Sequence, residues 1–257
     1  MTSHIYNLLL TKPSAQSLEF PNMIFASDYS DPGFSWSQLW YEKMEIETAL
    51  DAVYRLIDSQ EKSFETVKER FNQKLETDSF YQSLDEESKS SYFSQFCERE
   101  DQTINEIKRL QRNALVMTIF AFFEGKLKNI CETIENENIL SQKLENVKGD
   151  NNIQKLSKFL TDVYKIDKTT AEPSLNLIED QRFAKNRIVH HEGYLSKDRK
   201  ERLNLVNGFE VKDFPINSQI EISDPAYLRY LVKHVSEFFS QFLPVIDNRY
   251  KEINSCQ

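Results

Sequence analysis

The chain is poor in the residues that interrupt helices, with 5 Gly and 7 Pro among 257 residues. This scarcity, together with 28% charged residues, predicts long helices and leaves little room for a β architecture with many turns. Cysteine is also scarce. The three cysteines, Cys97, Cys131 and Cys256, form no CxxC pair, and we expect reduced thiols in a cytoplasmic protein.

Long apolar runs and signal-peptide features are absent as well. No eighteen apolar residues run together, and the short apolar patch at residues 5–10 lacks a basic segment before it. We therefore expect a protein that is neither exported nor membrane-spanning. The formal net charge of -9 argues against an extended nucleic-acid surface, because affinity for phosphate backbones comes largely from basic groups.

The common cofactor and metal motifs are missing too. The sequence contains no GxGxxG, no GxxxxGK[ST], no HExxH and no EF-hand loop. Only four histidines occur, and the adjacent pair His190 and His191 would point about 100° apart on a helix, so one ion could not easily bind both. We expect no metal site and no cofactor. A Cys–His nucleophilic pair has no local signature, although sequence alone leaves it open.

The order of apolar and polar residues predicts three regions. Residues 1–40 contain Pro13, Pro21 and Pro32 and are expected to form an extended arm, held down by aromatic residues at 34, 36, 40 and 41. Residues 41–102 are expected to form a helical hairpin extension that begins with a long amphipathic helix over 42–76. A second helix opens at residue 84 and is expected to run, with one interruption near 101–103, into the apolar stretch of the core that ends near 135. Residues 103–257 are expected to form the helical core.

Within the core, the pattern predicts a short helix over 153–164, a helix that starts at Pro173, and a small β-hairpin from residues 209–214 and 219–222. A last helix, capped by residues 223–225, is expected to end at Pro244. Its His234 lies among apolar residues and is interpreted as structural.

The most informative segment runs from residue 182 to residue 193. Arg182, Asn186 and His190 recur at every fourth position and share one stripe of a helix, with Arg187 and His191 on the next stripe. Asn is unfavourable inside a helix, so its presence calls for a reason. Gly193 suits the position just past a helix C-terminus. The structural explanation is a solvated, charged helix end; the functional explanation is a site.

The run Lys185-Asn186-Arg187-Ile188-Val189-His190 followed by Gly193 resembles the signature of the HEPN superfamily, all-helical domains that include many metal-independent endoribonucleases of toxin and phage-defence systems. In that family an Arg usually precedes the His by four to six residues, often followed by Asn. Here Lys185 stands in the Arg position, since Arg187 is too close to His190 and Arg182 slightly too far.

A second resemblance lies at residues 115–131, an apolar helix with an embedded Glu124 that is similar to the helix beside the motif helix in HEPN proteins. Two interpretations of Glu124 are open. Its carboxylate either lies in water at the rim of the apolar face, or forms an ion pair that orients a cation of the motif helix.

The resemblance implies a function and a role for each residue. RNA cleavage through attack of the ribose 2′-hydroxyl needs a proton-transfer group and cations, which assigns His190 to proton transfer, Lys185 and Arg187 to the phosphate, and Asn186 to orientation. His191 could replace His190, and Arg182 and Glu124 would support the site. Residues 182–203 carry seven Lys or Arg and three acids, a local charge of +4 that suits a phosphate site.

The expected protein is thus a cytoplasmic, homodimeric endoribonuclease of a toxin or defence system, with RNA as substrate and an antitoxin or defence protein as possible partner. The alternative is a catalytically impaired HEPN module that acts as a dimerising or nucleotide-sensing scaffold. A third possibility follows from relatives with a modified Tyr after the His, for which Tyr194 is displaced by one or two positions.

Overall fold

The protein was analysed as a computed structural model that describes residues 33–137, 142–167, 169, 172–196 and 208–255. The chain divides into two units, residues 1–33 and 34–257, and every element below belongs to the second. The predicted arm therefore lies mostly outside the described residues. As expected, the fold is mainly helical, with long helices and a small antiparallel sheet near the C-terminus.

The helices and strands follow one another in this order: α1 Ser37–Thr77, α2 Ser79–Ser83, α3 Glu86–Tyr92, a π-helical turn Phe93–Cys97, α4 Glu98–Glu137, a 3₁₀ turn Leu144–Asn146, α5 Asn152–Lys158, a second π-helical turn Phe159–Val163, α6 Glu172–His191, β1 Tyr194–Leu195, β2 Phe209–Asp213, β3 Ser218–Ile222 and α7 Ala226–Ser255. None of the helices in the described ranges is long and apolar enough to cross a membrane.

Helices α1 and α4 form the predicted antiparallel pair. Lys126 near the end of α4 pairs with Glu42 and Glu45 at the start of α1, whereas Lys74 at the end of α1 pairs with Glu100 at the start of α4. Fewer apolar residues of α1 are buried than the helical spacing of its apolar residues predicts. Tyr54 and Val67, which share that period, are each 43% exposed.

The interruption before α4 lies earlier than predicted. It is the π-helical turn Phe93–Cys97, whereas residues 101–103 are helical. Polar side chains there find partners without breaking the helix: Asp101 pairs with Lys68, and the hydroxyl of Thr103 donates to the carbonyl oxygen of Arg99 at 2.7 Å. The π-helical segment places the ring centroid of Phe93 6.4 Å from that of Phe71, and it buries Cys97.

Helix α1 begins at Ser37, about one turn before the predicted start near residue 42, because a distant residue caps it. The buried carboxylate of Asp247 in α7 accepts hydrogen bonds from the backbone N–H groups of Ser35 and Trp36 at 3.0 and 2.8 Å. Trp36 is 3% exposed and stacks on Tyr250, with 4.6 Å between ring centroids.

The prediction that the last helix ends at Pro244 is wrong, since α7 continues to Ser255. Pro244 lies on the exposed side, where a missing backbone hydrogen bond is tolerated. Beyond it Ile246 and Asp247 are buried, so packing against α1 stabilises the helix past the proline.

The predicted hairpin is present as β2 and β3, with Phe209 opposite Ile222 and Asp213 opposite Ser218. A third strand that sequence did not indicate, β1, pairs antiparallel with β3, so the sheet order is β1-β3-β2. The buried side chains of Ile220 and Ile222 anchor this sheet to the helical core.

The core lies where α4, α6 and α7 meet α1. The apolar face predicted for α4 is buried throughout, with each of Val116, Ile119, Phe120, Phe123, Leu127 and Ile130 at most 2% exposed. The packing is rich in aromatic contacts, such as the edge-to-face pair of Phe123 and Phe238 at 5.2 Å.

Candidate functional site

Helix α6 carries most of the candidate residues, and its rotation is fixed by one buried face. Pro173 is its second residue, where the missing N–H costs nothing. The face toward the core is formed by Ser174, Ile178, Gln181, Ala184 and Ile188. The hydroxyl of buried Tyr227 in α7 donates to Oε1 of Gln181 at 3.2 Å, which adds a directional contact to the apolar packing.

The stripe of Arg182, Asn186 and His190 points away from this face. His190 is exposed, and Arg182 and Asn186 are half-buried beside it. Arg182 Nε donates to Glu179 Oε2 at 2.9 Å, whereas His190 makes no hydrogen bond to any residue that the structure describes. The imidazole is therefore accessible to a substrate or a second protein.

The neighbouring stripe contains Arg187 and exposed His191. The guanidinium of Arg187 lies over the ring of Phe183 one turn earlier, 5.2 Å from its centroid. An aromatic face attracts a cation but carries no opposite charge, so this contact positions Arg187 without pairing it with an acid.

Lys185 points in a different direction, toward α4. Its Nζ lies 3.6 Å from Glu124 Oε1 and 5.7 Å from the ring centroid of Phe120. The structure combines the two interpretations of Glu124, because its carboxylate pairs with Lys185 of α6 while its side chain remains 24% exposed at the rim of the apolar face. Oε2 of the same carboxylate accepts a hydrogen bond from Asn152 Nδ2 at 3.4 Å, a partner that sequence reasoning missed.

The ion pair of Lys185 and Glu124 is weak. Both side chains are partly exposed, at 21% and 24%, and partly solvated pairs of this kind contribute at most about 1 kcal/mol. A phosphate could therefore compete for the ammonium group of Lys185 at little cost. The two residues lie beside an open groove of about 360 Å³ between α4 and α6, lined also by Met117, Thr118, Ala121 and Val189.

Lys185 and His190 do not face the same way. Five residues along an α-helix turn the direction by about 140°, so the two side chains lie on different sides of α6. The structure thus divides the sequence-predicted residues into two sets. Lys185 and Glu124 lie at the groove, and Arg182, Asn186 and His190 form the outer stripe.

The end of α6 is set by Glu192 and Gly193, both with positive φ, at 53° and 84°. The N–H of Gly193 donates to the carbonyl oxygen of Arg187 at 3.0 Å, and its own carbonyl accepts from the N–H of Ile220 at 2.9 Å. A Cβ at residue 193 would lie 2.9 Å from the carbonyl oxygen of Ile220, so only glycine fits between α6 and β3.

His234 and Tyr194 have surroundings that differ from those of the outer stripe. His234 lies 2.8 Å from Glu237 through Nδ1 and packs edge-to-face on Tyr230 at 4.3 Å, in agreement with a structural role. Tyr194 begins β1 and is 39% exposed. No group of three or more His, Cys, Asp or Glu side chains suited to a metal ion occurs within the described ranges.

Comparison of the chain with protein-family profiles, with curated proteins and with solved structures found no significant match. The case for a function therefore rests on the residues of α6 and their surroundings.

Proposed function

We propose that the protein is a metal-independent endoribonuclease of the HEPN type that acts as a homodimer in a toxin or phage-defence system. The observation that carries this proposal is the outer stripe of Arg182, Asn186 and His190 on α6, in which His190 is exposed and the other two residues are half-buried, with half-buried Arg187 and exposed His191 on the adjacent stripe. An imidazole, an amide and two cations thus lie near one another on one helix.

The reaction needs few groups. A base removes the proton of the ribose 2′-hydroxyl, the oxygen attacks the adjacent phosphorus, and the bond to the 5′-oxygen breaks as an acid protonates that oxygen. The products are a 2′,3′-cyclic phosphate and a 5′-hydroxyl, so no water or metal ion is consumed. His190 is assigned to proton transfer, Arg182 and Arg187 to the phosphorane charge, and Asn186 to orientation of the ribose.

Two copies are proposed because one outer stripe offers a single His190, whereas the reaction uses both an acid and a base. A two-fold axis beside α6 would supply one histidine from each copy. It would also combine the cations of two motif helices, which offsets the acidic net charge of the chain. Lys185 supports the site from the groove, where it can exchange Glu124 for a phosphate oxygen.

The alternative, a non-catalytic scaffold, is favoured by one observation. The residue in the position of the family's Arg, Lys185, is engaged by Glu124 and faces away from His190. If this arrangement persists when ligand binds, the cation does not reach the phosphate, and the site would bind a nucleotide or partner without cleaving RNA.

The test is cleavage of a fluorescent single-stranded RNA by purified protein in excess chelator. His190→Ala should lose roughly 100-fold or more of the rate, the size of a general acid or base contribution. His191→Ala is the matched control, because it removes an exposed imidazole from the next position; a loss confined to this variant would assign the proton transfer to His191. Because the side chain of His190 is exposed, His190→Ala should melt within a few degrees of wild type.

Three further results decide between the proposals. The products should carry 2′,3′-cyclic phosphate ends, and expression in a bacterial host should arrest growth only with His190 intact. Cleavage that stops when chelator is added would contradict the metal-independent mechanism. A folded protein that binds RNA or nucleotides and cleaves neither, with wild type and His190→Ala equally harmless, would favour the scaffold.

A further inference from the structure

The outward face of α4 carries apolar and small residues over about five turns. Ile107, Leu110, Ala114, Met117 and Ala121 follow one another at intervals of three and four residues, and all are exposed, with Leu110 at 53%. None of the exposed residues between 107 and 125 is charged, although 28% of the whole chain is. Spacing of this kind forms the contact seam when two helices pack along each other.

Gly125 gives a second indication of close packing. It lies within α4 and is exposed, and a Cβ at this position would meet nothing within 4 Å. Packing among the residues that the structure describes therefore does not require a glycine there, and glycine makes a helix less stable than alanine would. A helix that approaches from outside would benefit from the missing side chain.

The flanks of this face are fixed by the helix arrangement. Helix α4 packs on α1, α6 and α7, and the groove beside Met117 and Thr118 brings Val189 of α6 next to the middle of the face. The exposed side of residues 107–125 is called the uncharged face of α4. Through the groove, this face is continuous with the side of α6 that leads to Asn186 and His190.

We infer that a second copy of this chain docks on the uncharged face of α4, with the two α4 helices antiparallel and a two-fold axis near residues 117 and 118. The surface is derived from α4 alone; the antiparallel direction rests on the proposed function, because it places the two α6 helices on the same side of the axis. A parallel pair would instead place α6 of one copy over α1 of the other.

The size of the face fits this occupant. The nineteen residues 107–125 of α4 extend about 28 Å, and α4 with the adjoining edge of α6 is about 20 Å wide, a flat footprint of roughly 550 Å². Accessible surface over protruding side chains exceeds the flat footprint, so the face approaches the roughly 800 Å² that a stable interface buries on each partner. The part of this footprint that lies on α4 has no exposed charged residue, so that part offers nothing to a nucleic-acid backbone.

The arrangement has a consequence for the candidate site. Val189 lies beside the proposed axis, and His190 and Asn186 come next on α6, so both copies would present their outer stripes near the same axis. The groove of about 360 Å³ would open toward the gap between the two copies rather than toward bulk solvent.

The first experiment measures mass by light scattering and sedimentation equilibrium without RNA. Wild type should be dimeric at micromolar concentration. Ala121→Glu places a carboxylate on the face and should weaken the dimer by roughly 100-fold or more, since a buried unpaired charge is strongly unfavourable. Ser236→Glu, at an exposed position of α7, is the matched control and should remain dimeric.

The second experiment uses engineered disulfides in a Cys256→Ser background, where the remaining Cys97 and Cys131 are buried. Thr118→Cys should form an intermolecular disulfide on mild oxidation, because residues at a two-fold axis meet their own copies. Leu110→Cys and the control Ser236→Cys should not. Cross-linking at both 110 and 118 would indicate parallel helices and overturn the antiparallel arrangement.

A wild-type protein that is monomeric at high micromolar concentration would overturn the inference. So would a dimer that is unaffected by Ala121→Glu and does not cross-link at residue 118. If a monomer became dimeric on deletion of residues 1–32, the face would be covered by the chain's own first segment, which also contradicts the proposal. None of these measurements depends on RNA cleavage, so an inactive protein can still be a dimer of this kind.

Discussion

Arg112 provides the sharpest stability prediction, because it joins three parts of the fold. Its side chain is 4% exposed and donates through Nε and Nη2 to both oxygens of Glu61 in α1, at 2.8 and 2.6 Å. Its Nη1 donates to the carbonyl oxygens of Ile222 and Ser223 at the end of β3, at 2.8 and 2.6 Å. One guanidinium thus fixes α1 and the sheet to α4.

Replacement of Arg112 by Met keeps the stem and removes all four hydrogen bonds. It leaves the Glu61 side chain, which is 13% exposed, with only Lys108 at 3.8 Å as a partner among the described residues. Removal of one partner from a buried charge pair costs about 3–5 kcal/mol, and we expect Arg112→Met to lower the free energy of unfolding by that amount. Glu61→Gln retains an acceptor and the two carbonyl contacts, and should cost about 1–2 kcal/mol.

The assay is urea denaturation followed by circular dichroism, with Arg109→Met as the matched control. Arg109 lies one turn away and forms a similar two-pronged pair with Glu106, but Glu106 is 52% exposed, so that pair should contribute less than about 1 kcal/mol. The order of destabilisation should be Arg112→Met, then Glu61→Gln, then Arg109→Met. If Arg112→Met were no more destabilising than Arg109→Met, the assigned role of Arg112 would be refuted.

Three further predictions concern backbone positions and pH. Burial raises the pKa of Asp247, but hydrogen bonds from Lys251 and from the N–H groups before α1 outweigh it and hold the pKa below its ordinary value. Because the pKa of Asp247 is lower in the folded state, its ionised carboxylate stabilises the protein at pH values above the unfolded pKa near 3.8. Asp247→Asn should therefore cost about 1–2 kcal/mol of unfolding free energy at pH 7. This difference from wild type should shrink when urea denaturation is repeated below about pH 4. Gly193→Ala should cost about 1–3 kcal/mol in urea denaturation, because of its φ of 84° and the carbonyl oxygen of Ile220, and an unchanged midpoint would contradict the geometry. Pro244→Ala should raise stability by about 1–2 kcal/mol, as it restores a helix hydrogen bond at an exposed position, and a lower melting temperature in calorimetry would show that the proline is needed.

The features that sequence predicted well depend on local patterns. The buried face of α4 follows from the period of its apolar residues, and the start of α6 from Pro173. The hairpin of β2 and β3 follows from alternation in two short runs. Each of these signals is contained in a few neighbouring residues, so no knowledge of the rest of the fold was needed.

The errors arise where tertiary contacts override local preference. Pro244 is a strong helix breaker, yet α7 continues because residues beyond it are buried against α1. The strand β1 consists of two residues and has no period to detect; it exists because Gly193 aligns the chain with β3. Such contacts join residues that are far apart in sequence, and a pattern within a window of residues does not contain them.

The candidate site was predicted as a set of residues but not as an arrangement. Helical spacing correctly grouped Arg182, Asn186 and His190 on one side of α6. It did not show that the side chain of Lys185 would point toward Glu124. That orientation depends on how α6 is rotated about its own axis, which is set by the face that it buries. The roles of these residues, the dimer and the RNA substrate stay predictions until the experiments above are done.

The cap on α1 has a consequence for how this protein is made. The N–H groups at residues 35 and 36 receive their acceptor, Asp247, from a position 212 and 211 residues later in the chain. A ribosome delivers residue 247 only 211 residues after residue 36, so the first long helix stays uncapped, and its apolar side lacks α7, while all of the intervening residues are synthesised. Nascent chains stalled before α7 should therefore be sensitive to protease in α1 and bound by chaperones, and truncation ahead of residue 247 should abolish folding of the entire unit rather than shorten one helix.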